Sequence, residues 1–284
     1  MYFKTPAKIN LFLKIVGKRF DGFHEIESLF AFLDLHDELT VKKSNNFKLE
    51  IIGEFADLVN EKENLFTKIL DFFAIKFSIS KNLYIKIIKN IPVGAGLGGG
   101  SSNAAFFMQA LNQIFALNLS KIELQKISLN FGSDIAFFFE NHTSIVKGRG
   151  EIIENFNEFA PISALLINPK IAISTHDIFK KFKGEFSSKI STKKLLEKDV
   201  FYLLENFSND LEKPAIEKLE AILEIIKNLK KNGAKIAKMT GSGATCFGIF
   251  DNEQALNLAK TTFNKNFPSF FVKKVNILSN WNRF

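Results

Sequence analysis

The sequence predicts an α+β fold in two halves. Strand and helix patterns alternate irregularly along the 284 residues, with no short-period repeat. In the first half a glycine-rich run lies between a strand pattern and a helix pattern. In the second half a shorter glycine turn joins two strand patterns. The length suits one large domain or two modest ones. A soft boundary near 155–162 divides residues 1–158 from residues 159–284.

The elements follow in order. AKINLFLKIV, residues 7–16, sets Ile9, Leu11, Leu13 and Ile15 on one face, which predicts a strand. Asp21-Gly22 signals a turn, and HEIESLFAFL after it resumes an extended or mixed pattern. Residues 38–42 and 47–52 read as a hairpin around Asn45-Asn46. Residues 61–79 read as a helix that begins near Asn64. Leu83, Ile85 and Ile87 alternate with Tyr84, Lys86 and Ile88, a strand. Ala104, Met108, Leu111 and Phe115 keep helical spacing, and a second helix at 120–130 ends at Gly132. Residues 134–147 read as apolar, strand-rich chain, and SALLIN at 163–168 as a buried strand closed by Pro169. Residues 184–200 are a polar, Lys/Ser-rich loop with a short helix. Residues 214–231 read as one amphipathic helix with Pro214 in its first turn. KIAKMTGSGATCFGIF is strand, glycine turn, strand; a helix at 252–266 and a strand at 270–277 finish the chain.

The glycine run carries the most chemistry. Five of the seven residues from Gly94 to Gly100 are glycine. Without Cβ, their backbone can take positive φ and approach a ligand closely. The helix that follows offers unpaired N–H groups and partial positive charge at its start. Together these make an anion site, most naturally for phosphate. Gly94, Gly96 and Gly99 satisfy the dinucleotide fingerprint G-x-G-x-x-G, but that motif also needs an acid about 20 residues on. Gln113, Ile114 and Phe115 stand there instead. A P-loop needs Lys-Ser or Lys-Thr after its last glycine, and Ser101-Ser102 follows directly.

Net charge is +8, spread over short Lys-Lys pairs without a long basic block. That pattern suits a solvated surface and a polyanionic small substrate better than nucleic acid. Phe is abundant at 33 residues, which reads as compositional bias filling the core. A single cysteine, Cys246, excludes an intrachain disulfide and any multi-cysteine metal site, and its apolar surroundings suggest an inert thiol. Lys8 and Lys14 interrupt the N-terminal apolar stretch, so a signal peptide is not expected. No window holds 18 consecutive apolar residues, so a cytoplasmic protein without a membrane span is expected.

Further segments carry candidate functional groups. Pro6-Ala7-Lys8-Ile9-Asn10 puts a cation and an amide at a strand start, and Gly132-Ser133-Asp134 puts a carboxylate before an apolar run. Thr240-Gly241-Ser242-Gly243 is a compact turn able to present backbone donors. Taken singly, each has a plain structural explanation. Lys8 fits a lysine snorkelling beside a strand, Asp134 a cap or turn residue, and the Gly241–Gly243 turn a simple connection.

In this order the segments resemble the galactokinase–homoserine kinase–mevalonate kinase–phosphomevalonate kinase (GHMP) superfamily of small-molecule kinases. The segments are PAKINLFLKIVGKRFDGFHEIESLF, NIPVGAGLGGGSSNAA, FGSDIAFF, VKGRGE and MTGSGATCFG, from Pro6 to about Phe250. The resemblance implies a two-domain fold with the active site in the cleft between domains, and ATP and Mg²⁺ as cofactors. Asp21-Gly22-Phe23-His24 points to the branch that phosphorylates the 2-hydroxyl of a cytidine diphosphate-linked methylerythritol. A superfamily kinase acting on homoserine, mevalonate or a sugar is the alternative; a nucleic-acid-binding protein and an inactive sensor of the same fold are less well supported.

The resemblance also implies site roles. Pro92, Val93, Gly94, Ala95, Gly96, Leu97, Gly98, Gly99, Gly100, Ser101 and Ser102 would wrap the ATP phosphates, supported by Gly241, Ser242 and Gly243. Asn64 and Lys89 would lie near the ATP base and ribose. Asp134 would be the general base and Lys8 its charge partner. Asn10 would hold the methylerythritol end, His24 would bond the cytosine edge, Phe23 and Phe179 would sandwich the ring, and Phe30 would lie near the sugar. Ser101 or Ser102 would be the Mg²⁺ ligand. Many members carry Tyr where this chain has Phe23, so the ring face remains and the hydroxyl is lost. No nucleic acid and no membrane partner is implied, and the state is monomer or homodimer.

Overall fold

The computed structural model describes residues 1–59 and 64–281. Two long antiparallel strands, β1 (Tyr2–Lys18) and β2 (His24–Lys43), begin the chain. Their register slips between Pro6 and Lys8 and again between Asn10 and Phe12. Such bulges bend a strand and re-aim its side chains. Here they bracket Lys8 and Asn10. The run Thr5–Leu13 is buried at every residue, so both faces of β1 are covered.

β2 is the spine of the sheet. Besides β1 it pairs with β4 (Leu83–Ile88) through Glu38–Lys43, with β5 (Ser144–Gly148) through Ile26–Phe30, and with β10 (Phe271–Leu278) at Phe32 and Leu33. Among the described residues the order is β3-β4-β2-β10-β7-β9-β8, where β3 is Lys48–Ile52, β7 Ile162–Asn168, β8 Ile236–Met239 and β9 Cys246–Ile249. β6 (Ile152–Asn155) pairs with β5. The C-terminal strand thus returns to the N-terminal half, and one sheet crosses the expected boundary near residue 158.

Three expectations need correction. The hairpin over residues 38–52 does not form: β3 runs parallel to β4 at the edge, and β4 lies between β3 and β2. Leu83, Ile85 and Ile87 of β4 are buried, whereas β3 buries none of its residues fully. The more apolar strand takes the central place. Residues 133–139 form a 3₁₀ helix rather than a strand, and the next strand starts only at Ser144. Residues 214–231 divide into α7 (Glu212–Lys218) and α8 (Ala221–Lys231), with Leu219 extended between them. Two short unforeseen helices, α4 (Thr175–Lys181) and α6 (Val200–Asn206), are capped by the side chains of Ser174 and Asp199.

Other expectations hold. Asn64 caps α1 (Leu65–Phe77) by accepting from the Phe66 N–H at 2.8 Å; residues 61–63 of the expected helix lie outside the described residues. α2 (Gly99–Ile114) follows the glycine loop, and α3 (Lys121–Ser128) starts with a capping box of Ser120 and Glu123. The chain also includes α5 (Thr192–Leu196) and α9 (Glu253–Asn266). Phe30, Phe32, Phe106, Phe107, Phe137 and Phe138 pack between the sheet and α2, with Phe32 and Phe137 stacked at 4.6 Å. Cys246 is buried, and burial pushes its thiol pKa up. No described helix is long and apolar enough to cross a membrane.

Lys238 ties β8 to α6, donating to the carbonyls of Leu204 and Phe207. Burial pushes its pKa down to about 8, opposed only in part by Glu212. The unfolded chain keeps this proton up to about pH 10.5, so the folded state gains stability as pH rises from about 8 towards 10.5. Unfolding free energies of wild type and Lys238→Met, compared by denaturant titration across that window, should diverge with rising pH in favour of wild type. A constant difference would contradict the depressed value.

Candidate active site

Lys8 is 3 % exposed, yet its ammonium faces a carboxylate. Asp134, in the first turn of the 3₁₀ helix, has Oδ2 at 3.3 Å from Lys8 Nζ. Lys8 Nζ also donates to Asn10 Oδ1 at 2.7 Å and lies 4.6 Å from the centre of the Phe30 ring. Asn10 is fixed in turn: its Nδ2 donates to Ser28 Oγ at 2.9 Å and its backbone N–H to Thr240 Oγ1 at 2.8 Å. The lysine is therefore a paired, hydrogen-bonded buried cation, not a snorkelling one. Asp134 keeps about a third of its side chain open. Only the carboxylate of this pair is readily reached by a ligand.

The glycine loop arches over this pair. Lys8 N–H donates to the Leu97 carbonyl at 2.9 Å. Gly98, the N-cap of α2, has φ +68°. A Cβ there would stand 2.8 Å from Lys8 Cγ and 3.0 Å from Phe138 Cζ. The first turn of α2 carries no acidic side chain, so the partial positive charge of that helix end is not offset by its own residues. The second glycine turn packs directly against the first. A Cβ on Gly96 would meet the Thr240 carbonyl oxygen at 2.5 Å, and Thr245 N–H donates to the Ala95 carbonyl at 3.4 Å.

A cavity of about 1050 Å³ runs across both turns. Lys8, Asp134, Asn10 and Phe30 line it, and Pro92, Val93, Gly94, Ala95, Gly96, Gly98, Gly99, Gly100, Ser101, Gly241 and Ser242 form its glycine-rich wall. Asn64 and Lys89 line it as well, as do Phe23, His24 and Phe179. Three expected residues lie behind the wall. Leu97 is buried beneath it, Gly243 supports the second turn, and Ser102 is wholly buried with its hydroxyl unpartnered among the described residues. Of the two serines, Ser101 alone lines the cavity.

Phe23, His24 and Phe179 are gathered near one another. His24 stacks on Phe179 at 5.5 Å and meets Phe182 edge-on at 6.0 Å. Burial first, and the Lys18 charge second, lower the His24 pKa below its ordinary 6.5, so the ring is neutral at pH 7. Phe23 is half exposed, with the Arg149 guanidinium carbon 5.0 Å over its ring.

Sequence reasoning missed Phe182, Arg149, Asn209 and Asp37. Asn209 donates to the carbonyls of Met239 and Gly241 at 3.0 and 2.8 Å, fixing the second turn. Asp37 had a readable signal: it occupies the buried row of β2 otherwise filled by Leu33, Leu35, Leu39 and Val41. Lys89, expected to face ligand, is committed to Asp37 and to Asn103 Oδ1, the latter at 3.0 Å.

The family of GHMP kinases N terminal domains matches residues 64–141, and that of GHMP kinases C terminal domains matches residues 192–269. The chain belongs to the GHMP kinase family. It is an ATP-dependent phosphotransferase. A curated relative from Thermoanaerobacter pseudethanolicus, named 4-diphosphocytidyl-2-C-methyl-D-erythritol kinase, is 35% identical over 276 residues, covering 95% of this chain and 94% of its own. A relative of the same name from Anaplasma phagocytophilum is 33% identical, covering 98% and 94%. The crystal structure of a 4-(cytidine 5'-diphospho)-2C-methyl-D-erythritol kinase superposes with TM-score 0.76 at 26% identity, over 97% of this chain and 99% of that one. A homoserine kinase from Cytophaga hutchinsonii shares the fold, with TM-score 0.69 at 15% identity over 98% and 95%.

Gly98 gives a direct test of the wall. In Gly98→Ala the new Cβ strains the +68° backbone and displaces Lys8 or Phe138. ATP affinity, measured by calorimetry on the folded variant, should fall about tenfold or more. Unchanged affinity would contradict this role for the loop.

Proposed function

We propose that this kinase transfers the γ-phosphoryl group of ATP to the 2-hydroxyl of 4-diphosphocytidyl-2-C-methyl-D-erythritol. The observation that carries the reading is the Lys8–Asp134 pair, 3.3 Å apart, which lines one cavity together with the two glycine turns and the His24–Phe179 stack. The names of the full-length relatives supply the acceptor. Residues 1–158 provide the loop and the base, and residues 159–284 brace the loop with the second glycine turn and border the acceptor with Phe179.

Phosphoryl transfer asks the protein chiefly for positioning and charge stabilisation. The N–H groups of the loop and the start of α2 hold the transferring phosphate. Asp134 takes the proton as the acceptor oxygen attacks the γ-phosphorus, and Lys8 beside it balances the developing charge. Asn10 holds Lys8 and reaches the methylerythritol end, with Phe30 beneath it. Phe23 and Phe179 stack on cytosine while neutral His24 reads its edge; Asn64 and Lys89 border the adenosine end.

Mg²⁺ favours oxygen donors and takes most of them from nucleotide and water. The cavity lining includes residues with oxygen donors, Ser101 and Asp134 among them. Of the two candidate serines, Ser101 lines the cavity and would help hold the ion, whereas the Ser102 hydroxyl is wholly buried and Ser102 is absent from the lining. When bound, the ion neutralises phosphate charge. The enzyme works in the cytoplasm as monomer or homodimer, without nucleic acid or membrane.

The test is an acceptor panel with ATP and Mg²⁺, followed by coupled ADP release. The cytidine diphosphate acceptor should support turnover; homoserine and mevalonate should not. Asp134→Asn should lower kcat by roughly 10²–10⁴-fold in the folded protein, with little change in either KM. Turnover of mevalonate alone, or a stable and fully active Asp134→Asn protein, would overturn the reading.

A further inference from the structure

Asp37 is wholly buried, and it does not line the cavity. A carboxylate in such a place is costly unless it is paired and fully bonded. Its partners come from both ends of the glycine loop. At the entry, Oδ1 accepts the backbone N–H of Asn90 at 2.7 Å and of Ile91 at 2.9 Å, and Oδ2 takes the Lys89 ammonium. At the exit, Asn103 Nδ2 donates to Asp37 Oδ2 at 3.0 Å and to Thr5 Oγ1 at 2.8 Å. Asn103 Oδ1 closes the ring by accepting from Lys89 Nζ at 3.0 Å. The span between these anchors holds Gly94, Gly96 and Gly98, all at positive φ. Glycine loses the most backbone freedom on ordering, so a loop of this composition takes one shape only if its ends are fixed.

We infer that Asp37 is a positioning residue that sets the span of the phosphate loop by holding both of its ends, and so governs nucleotide affinity without touching the nucleotide. The inference rests on the reading of the loop as the ATP phosphate site. A carboxylate that served stability alone would, when altered, affect both substrates together with the melting temperature. One that shapes the loop affects ATP and spares the acceptor.

The test uses Asp37→Asn, Asn103→Ala and their double variant in the full chain. Tm, ATP affinity by calorimetry and both KM values are measured well below each Tm. Each single variant should weaken ATP about tenfold while the acceptor KM stays within about twofold. The double variant should bind ATP no more weakly than Asp37→Asn alone, because Asn103 acts through Asp37. Asn103→Ala keeps the buried Asp37–Lys89 pair, so the test survives if Asp37→Asn does not fold. Unchanged ATP affinity in a folded variant would overturn the clamp, as would both KM values rising in step with a lowered Tm. Failure of the unmutated chain to bind ATP would instead overturn the reading of the loop.

Discussion

The site depends on keeping one lysine charged where almost no water reaches it. Moving an ammonium out of water costs several kcal/mol, so Lys8 must be compensated on every side. Asn10 Oδ1, Asp134 and the face of Phe30 compensate it, and the Leu97 carbonyl holds its backbone. These partners come from β1, β2, the 3₁₀ helix and the glycine loop. The ion pair therefore works as a joint between elements that are distant in sequence. The bulges on either side of Lys8 and Asn10 follow from the same need, since they aim both polar ends while Ile9 and Leu11 stay in the core.

A second constraint concerns the two glycine turns. Gly96 and the Thr240–Gly243 turn approach until neither has room for a side chain. Backbone contact at that distance fixes the wall of the cavity to β8 and β9 as well as to α2. Thr240 Oγ1 accepts from Asn10 N–H, so the second turn also braces the strand that carries Lys8. The glycines let the two turns close on each other, and in the proposed reading they also leave a phosphate free access to N–H groups. Asn209 and Asp37 play similar parts from behind, each a buried polar side chain that holds one turn in shape.

Much of this was legible in the sequence because it rests on local pattern. The period-two row Ile9, Leu11, Leu13, Ile15, the glycines between β4 and α2, and the cap at Asn64 each announce themselves within a few residues. The family resemblance placed Lys8 and Asp134 together, and the fold brings them to 3.3 Å. What was not legible depends on tertiary competition. The β2–β3 hairpin failed because β4 is the more apolar partner for β2. The 3₁₀ helix at 133–139 reads like a strand because its apolar run is buried on nearly all sides. Leu219 breaks a helix that periodicity would continue, and nothing in the residue type marks the break. That Ser101 lines the cavity while Ser102 is buried behind it depends on tertiary placement, which spacing alone did not decide.

The central claim is that Lys8 and Asp134 act as one unit on the transferred phosphoryl group. A double-mutant cycle of Lys8→Met, Asp134→Asn and the combined variant tests it, read by single-turnover phosphoryl transfer with ATP and acceptor saturating. The account predicts that the combined variant is about as slow as the slower single variant, because either loss already disables the pair. Rate losses that multiply independently would contradict it.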